Sequence, residues 1–337
     1  MNSIYIIAEL SANHNNDLNL AKRTVRAIAE SGANAIKVQT FTADSLSMNI
    51  ENEFFGPLKS GPWKGIKPYD LFSEAALPFE WHSELKYLAN SLGLDFFSSP
   101  FDIEAIDFLE TINVPMYKIA SFEITDIQLI KYAASKNKPM LISTGVATEE
   151  DIKIAIETCH SQNNHDITLL KCTSEYPALI EDANLSKMQD FKFKFNVKYG
   201  LSDHTMGSIV PIVATILGAE VIEKHFILDR SIGGPDSKFS MEPQEFKEMV
   251  DNCRKAEQTL GTIDYNVTEK DKLRKRSIWI SNDIKKGEYF TKENIKSIRP
   301  GDGLHPKHFF NIIGKKASRD IKKGLPLMRD MIEDNFE

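Results

Sequence analysis

"AEVIEKHF", residues 219–226, is an apolar run that ends in an acid, an amine and an imidazole. In an extended strand the side chains alternate faces, so Val221, Glu223 and His225 point one way, Ile222 and Lys224 the other. One face therefore ends in a carboxylate beside an imidazole, and its meaning depends on whether other strands end alike. Further β-branched or aromatic runs precede it at 4–9, 35–40, 94–99, 116–121, 139–144, 167–172 and 197–202. Amphipathic patterns lie between most of them. "LNLAKRTVRAIAESG" has apolar residues at helical spacing and stops at Gly32. "TEEDIKIAIETCH" opens with Thr148 three residues before Asp151, the pattern of a capping box. "SDHTMGSIVPIVATILGA" is apolar almost all round, which predicts a buried helix. Eight strands alternating with helices predict a parallel α/β fold, a closed (β/α)8 TIM barrel over residues 1–262. A doubly wound open sheet is the competing architecture, but no strand is followed by a G-x-G-x-x-G or Walker loop.

Beyond Gly261 the texture changes. Residues 263–281 are highly charged and read as a linker, and 282–337 read as a small β-rich domain. That domain holds two copies of "DIKKG", at 283–287 and 320–324, which suit a pair of related turns. Residues 51–81 are long for a β-to-α connection and predict an extra substructure over the end of strand two.

The net charge of -7, spread along 337 residues, argues against a nucleic-acid surface but leaves small anionic substrates open. No run approaches the roughly 20 apolar residues of a membrane span, and the first residues lack the pattern of a secretory signal. Cys159, Cys172 and Cys253 have no metal-type spacing and fit a reducing compartment. The expectation is a cytoplasmic protein with no nucleic-acid or membrane partner.

A parallel barrel delivers the C-terminal end of every strand to one mouth, where active sites form. The ends in question carry Glu9 with Asn13 and His14; Lys37 and Gln39; Ser98 and Ser99; Lys118 and Ser121. The second half of the chain adds Ser143 and Thr144, Lys171 and Thr173, Ser202 and His204, and Glu223 and His225. Taken singly, a lysine here snorkels to solvent, a serine or threonine caps a helix, and a histidine is a hydrogen-bonded core residue. Taken together, lysines on neighbouring strands repel one another unless an anion lies between them, so the mouth reads as a phosphate or carboxylate site. His204 and His225 could share a divalent metal, with carboxylate and water completing its shell. Glu223 is placed to orient water or move a proton. Asp236, in "GGPDSKFS", is either a turn residue or a substrate contact.

The ordered set "AELSANHN", "IKVQTF", "FFSSPFD", "YKIAS", "STG", "LSDHTMG", "EKHF" and "GPDSKFS" resembles the sialic acid synthase family across essentially the whole chain. The tail, with "SIRPGDG", is similar to the antifreeze-like (SAF) domain that ends those enzymes. The resemblance implies condensation of phosphoenolpyruvate with an acetamido-sugar aldehyde to a nine-carbon nonulosonic acid. "GPWKGIKPYDLFSEAALPFEWH" is similar to the segment of the branch that makes pseudaminic acid. It differs from the N-acetylneuraminate and legionaminate branches, and implies a 2,4-diacetamido-2,4,6-trideoxy-altrose in place of N-acetylmannosamine.

By the same resemblance, Lys37, Ser99, Lys118, Ser121, Ser143 and Ser202 surround phosphoenolpyruvate, and His204 and His225 hold Mn²⁺ or Mg²⁺. Glu9 and Glu223 are the catalytic carboxylates, and Asp236 contacts the sugar. Ser174 stands on the phosphate side, where the neuraminate branch can have Asn, and Tyr176 in the same loop is a sugar contact. Arg299 reaches into the mouth of a partner subunit's barrel in a domain-swapped homodimer. Two other classes use similar residues: a metal-dependent aldolase releasing pyruvate, and a carbohydrate-binding module without turnover.

Overall fold

The computed structural model describes residues 3–61 and 63–333. Eight parallel strands close into a barrel in chain order: β1 (Tyr5–Glu9), β2 (Ala35–Thr40), β3 (Asp95–Pro100), β4 (Tyr117–Ile119), β5 (Met140–Ser143), β6 (Ile167–Cys172), β7 (Lys198–Asp203) and β8 (Val221–His225). Runs such as Ile6-Ile7-Ala8 are buried throughout, because a parallel strand here has side chains inside it and helices outside it. Closure sets β1 between β8 and β2, so Glu9 lies in register with both His225 and Lys37. Next to β8, Ser202 of β7 pairs with Glu223.

The covering helices are α1 (Leu18–Glu30), the short α2 (Ala43–Leu46), α3 (Pro68–Ala75), α4 (His82–Ser91), α5 (Ile103–Thr111) and α6 (Ile127–Ala134). They continue with α7 (Glu149–Ser161), α8 (Leu185–Phe195), α9 (Ile209–Ile216) and α10 (Pro243–Thr259). The start of α7 is the expected capping box, Thr148 and Asp151 each accepting the other's backbone amide. Helix α1 ends at Glu30, two residues before Gly32, whose φ of 82° glycine adopts without strain. Helix α9 departs from expectation. Val210, Pro211, Ala214 and Thr215 are buried, but Ile209 and Val213 are 60% and 42% exposed, so the helix covers the barrel with one face only. Among the described residues no helix is long and apolar enough to cross a membrane.

The segment between β2 and α4 is tied down at the mouth end of the barrel. Asn16 donates to the Glu74 carbonyl, His14 Nε2 lies 3.2 Å from the Ala75 carbonyl, and the Trp63 indole donates to the Pro235 carbonyl at 3.2 Å. The first two contacts come from the loop after β1, the third from the loop after β8.

The chain divides into two compact units after Gly261. The second contains α11 (Glu269–Arg274), an antiparallel pair formed by β9 (Ser277–Ile280) and β10 (Ile295–Ile298), and α12 (Phe309–Ile312). Strand β9 lies within the stretch expected to be linker, and Ile278 and Ile280 are part of this unit's own core. The two "DIKKG" copies face each other. Ile284 bridges Ile321, Asp320 accepts from the Lys286 amide and the Lys285 ammonium, and Asp283 accepts from the Lys323 amide and the Lys322 ammonium. The repeat is a pair of reciprocal turns, closed at Gly287 and Gly324 in left-handed conformation.

Candidate active site

Because β-strand side chains alternate, one parity on each strand faces the barrel interior, and its last members form the floor of the mouth. Glu9, Lys37, Ser99, Lys118, Ser143, Ser202, Glu223 and His225 all lie there, each at most 7% exposed. Lys37 is the hub. It forms an ion pair with Glu9 Oε2, donates to Ser99 Oγ at 3.3 Å and sits 3.7 Å from Glu223 Oε1. Lys118 approaches the same Glu223 oxygen at 3.9 Å, and Ser202 donates to it at 3.0 Å. Glu223 Oε2 and Ser143 Oγ have no hydrogen-bond partner among the described residues.

Two adjacent buried carboxylates are pushed apart in acidity. Burial drives the Glu9 carboxyl up to about 7 against the pull of Lys37. Burial would raise Glu223 as well, but Lys118, Lys37 and the Ser202 hydroxyl together hold it below the usual range. Burial thus favours a proton on Glu9 while the Lys37 ion pair opposes it, whereas Glu223 is held ionised by both lysines, an asymmetry of the kind acid–base chemistry uses.

At the ends of β4 and β5, Ser121 Oγ accepts the Gly145 amide at 3.1 Å. A Cβ at Gly145 would come within 2.0 Å of Ser174 Oγ and 2.8 Å of Ser121 Oγ, so a glycine is required for the two hydroxyls to converge. On the other side the His204 and His225 rings stand 5.2 Å apart, and Tyr176 stacks on His204 at 4.3 Å. His204 Nδ1 lies 2.8 Å from the Thr173 carbonyl, which fixes its proton there and turns the Nε2 lone pair outward. The buried His225 Nδ1 has no hydrogen-bond partner and lies 3.9 Å from Asp236 Oδ2. A buried imidazole nitrogen without a partner beside a second imidazole of fixed tautomer fits a divalent ion. Among the described residues no group of three or more His, Cys, Asp or Glu side chains gathers around one point, so water and substrate would complete such a shell. Asp236 also accepts the Ala12 amide at 3.4 Å, which joins the loop after β8 to the loop after β1.

Several strand-end residues face elsewhere. Lys171 points outward and donates to Thr173 Oγ1 and the Asp182 carbonyl, so two lysines, not three, line the floor. Ser98 bonds Thr40 and the Val38 carbonyl behind the sheet, and Thr144 Oγ1 donates to the Leu170 carbonyl. His14 is engaged with Ala75 and packs edge-on against Trp81. Arg299 lies in the second unit, exposed, immediately after β10.

Two residues not anticipated also reach the mouth. Cys172 Sγ lies 3.8 Å from His204 Nδ1. Glu123, on the turn after β4, has a buried Oε2 without a partner, and burial pushes its carboxyl from 4.5 to about 7 although Lys118 pulls the other way. This raised value has a sign. The folded chain binds the proton more tightly than the unfolded one between about pH 4.5 and 7, so Glu123 costs stability as pH rises through that window. After allowance for partial exposure, Glu123→Gln should stabilise the protein by about 1–2 kcal/mol at pH 8 and by little at pH 5. Urea titrations at the two pH values check this; an equal effect at both contradicts it.

A cavity of about 510 Å³ that includes Asp44, Asp102 and Asp126 lies apart from this floor, and Asp102 and Asp126 in it cap α5 and α6.

A parallel barrel whose mouth joins a lysine–carboxylate floor to a pair of imidazoles, in a chain that continues into a small β-rich unit, defines the class. The chain belongs to the NeuB family, whose model matches residues 24–265, and an SAF domain matches residues 275–333. Pseudaminic acid synthase from Helicobacter pylori is 49% identical over 332 residues, which are 97% of each chain. N,N'-diacetyllegionaminic acid synthase from Legionella pneumophila is 40% identical, over 98% of this chain and 94% of its own. The crystal structure of N-acetylneuraminic acid (sialic acid) synthetase from Leptospira borgpetersenii superposes with a TM-score of 0.71 at 32% identity, over 80% of this chain and 89% of that one.

Proposed function

We propose that this chain is a pseudaminic acid synthase, joining phosphoenolpyruvate, 2,4-diacetamido-2,4,6-trideoxy-altrose and water into pseudaminic acid and phosphate. The observation that carries the reading is the convergence of buried Lys37 and Lys118 on one oxygen of Glu223, beside His204 and His225. Such a floor binds an anion and handles a proton in one place. Greater identity to the pseudaminic than to the legionaminic relative supports the choice of sugar.

Lys37 and Lys118, with hydroxyls from Ser99, Ser121, Ser143, Ser174 and Ser202, hold the carboxylate and phosphate of phosphoenolpyruvate. Its methylene carbon bonds to the aldehyde carbon of the sugar, and the aldehyde oxygen takes a proton, for which Glu9 is the poised donor. Water then adds to the carbon bearing phosphate and Glu223 accepts one of its protons; the bond from that carbon to the phosphate oxygen breaks, the departing phosphate takes that proton from Glu223, and the proton of the remaining hydroxyl returns to Glu9 as the keto group forms. Asp236 and Tyr176 contact the sugar. His204 and His225 would hold Mn²⁺ or Mg²⁺, which supplies Lewis-acid polarisation of a carbonyl oxygen. In this reading the protein is cytoplasmic, in keeping with its free, buried cysteines, and forms a domain-swapped homodimer in which Arg299 serves the partner subunit's mouth. The exposed apolar stripe of Ile209, Val213 and Ile216 on α9 supports association.

The expected result is phosphate release from phosphoenolpyruvate that requires the diacetamido sugar and is at least about tenfold slower with N-acetylmannosamine at equal concentration. Equal rates with the two sugars would overturn the choice of branch. Pyruvate release from pseudaminic acid, without phosphate chemistry, would favour an aldolase.

A further inference from the structure

The aromatic rings that begin at the histidines continue outward. Tyr176 packs against His204 with ring centroids 4.3 Å apart and against Trp63 at 6.1 Å, both tilted. Trp63, Ile66, Leu71, Tyr176, Pro235 and Phe239 then enclose a cavity of about 270 Å³. Its two walls come from distant parts of the chain, the long segment after β2 and the loop after β8, and the Trp63 indole N–H is spent on the Pro235 carbonyl that joins them. The indole therefore offers carbon, not a donor, to whatever lies against it. Gly234, Glu74 and Lys238 complete the lining, the two charged residues both exposed to solvent.

We infer that this wall is the specificity element for the far end of the sugar: Trp63 and Ile66 receive the C6 methyl of a 6-deoxy acetamido-hexose and disfavour a C6 hydroxymethyl. The inference rests on the substrate reading above. A sugar whose aldehyde carbon lies at the histidines extends along Tyr176, and the opposite end of its six-carbon chain meets the indole. A methyl there meets the half-buried Trp63 ring and the Ile66 side chain and is partly withdrawn from water, whereas a hydroxyl would give up part of its hydration and find no partner on the indole or the isoleucine. Glu74 and Lys238, at the solvent side, suit the polar groups on the rest of the ring.

The test compares kcat/KM for 2,4-diacetamido-2,4,6-trideoxy-altrose with that for its 6-hydroxy analogue, in wild type, Trp63→Ala and Trp63→Phe. An apolar pocket discriminates such a pair by about 10- to 100-fold, so that preference is expected in wild type. In Trp63→Ala it should collapse to within about threefold, with KM for phosphoenolpyruvate unchanged, while Trp63→Phe retains most of it. Because the ratio is internal to each variant, a general loss of activity does not imitate the result. A Trp63→Ala ratio equal to that of wild type overturns the inference. Calorimetric binding of the same two sugars runs in parallel. Absence of phosphate release with preserved binding preference would overturn the assigned reaction and leave the wall's role standing; absence of the binding preference would overturn the wall's role.

Discussion

Glu223→Gln lowers kcat by about 10²- to 10⁴-fold while KM for phosphoenolpyruvate stays level or falls. The amide is nearly isosteric and can still accept from Ser202 Oγ, so the floor keeps its shape. What disappears is the negative charge that Lys37 and Lys118 share, together with Oε2, the oxygen with no partner among the described residues. An amide cannot take a proton from water, hence the loss in kcat. Two ammoniums with one carboxylate fewer between them attract an anion more strongly, hence the direction of KM. The same imbalance predicts that the ligand-free variant is less stable than wild type, and that phosphoenolpyruvate raises its melting temperature by more. Steady-state kinetics and thermal melts with and without phosphoenolpyruvate check all three. Wild-type kcat in the variant would remove Glu223 from the chemistry; a raised KM with unchanged kcat would make it a binding residue.

Much of this floor could be read before any coordinates, for a physical reason. A barrel strand is buried on both faces, so its apolar run is conspicuous and the polar residues that interrupt its end are too. Alternation then places Glu223 and His225 on one face. It also shows where such a reading fails. Lys171 and Cys172 are neighbours and only one can face inward; barrel closure puts Cys172 beside His204 and turns Lys171 to Thr173 and Asp182. Ser98 and Ser99 divide in the same way. Glu123 was illegible because β4 stops at Ile119, and the turn that follows has no two-residue period. Apolar content alone also misjudges α9, since this helix buries one side against the barrel and leaves Ile209 and Ile216 exposed on the other. The strand at 277–280 was masked by the charge of its flanks, although Ile278 and Ile280 are core residues of the second unit.

Dialysis against EDTA should reduce phosphate release below about 1% of the starting rate, and Mn²⁺ should restore it. The size follows from the proposed role, because Lewis-acid polarisation of a carbonyl oxygen by a divalent ion would be worth several kcal/mol of barrier. The ease of removal follows from the geometry. Two imidazoles would be the protein donors, with no third His, Cys, Asp or Glu gathered around them among the described residues, so the ion would be held loosely enough for a chelator to compete. His225→Ala leaves one imidazole, and its affinity for Mn²⁺, measured by calorimetry without either substrate, should fall by at least about tenfold. Thr173 needs no substitution as a control, since it orients His204 through its backbone carbonyl. Instead Cys172→Ser, which changes the group beside His204 but not the tautomer imposed by that carbonyl, should keep Mn²⁺ affinity within about threefold. Undiminished turnover after exhaustive chelation, or equal Mn²⁺ binding in wild type and His225→Ala, would sink the metal assignment. Either outcome would leave the two imidazoles as hydrogen-bonding groups for the sugar, with Glu9 as the acid at the aldehyde oxygen.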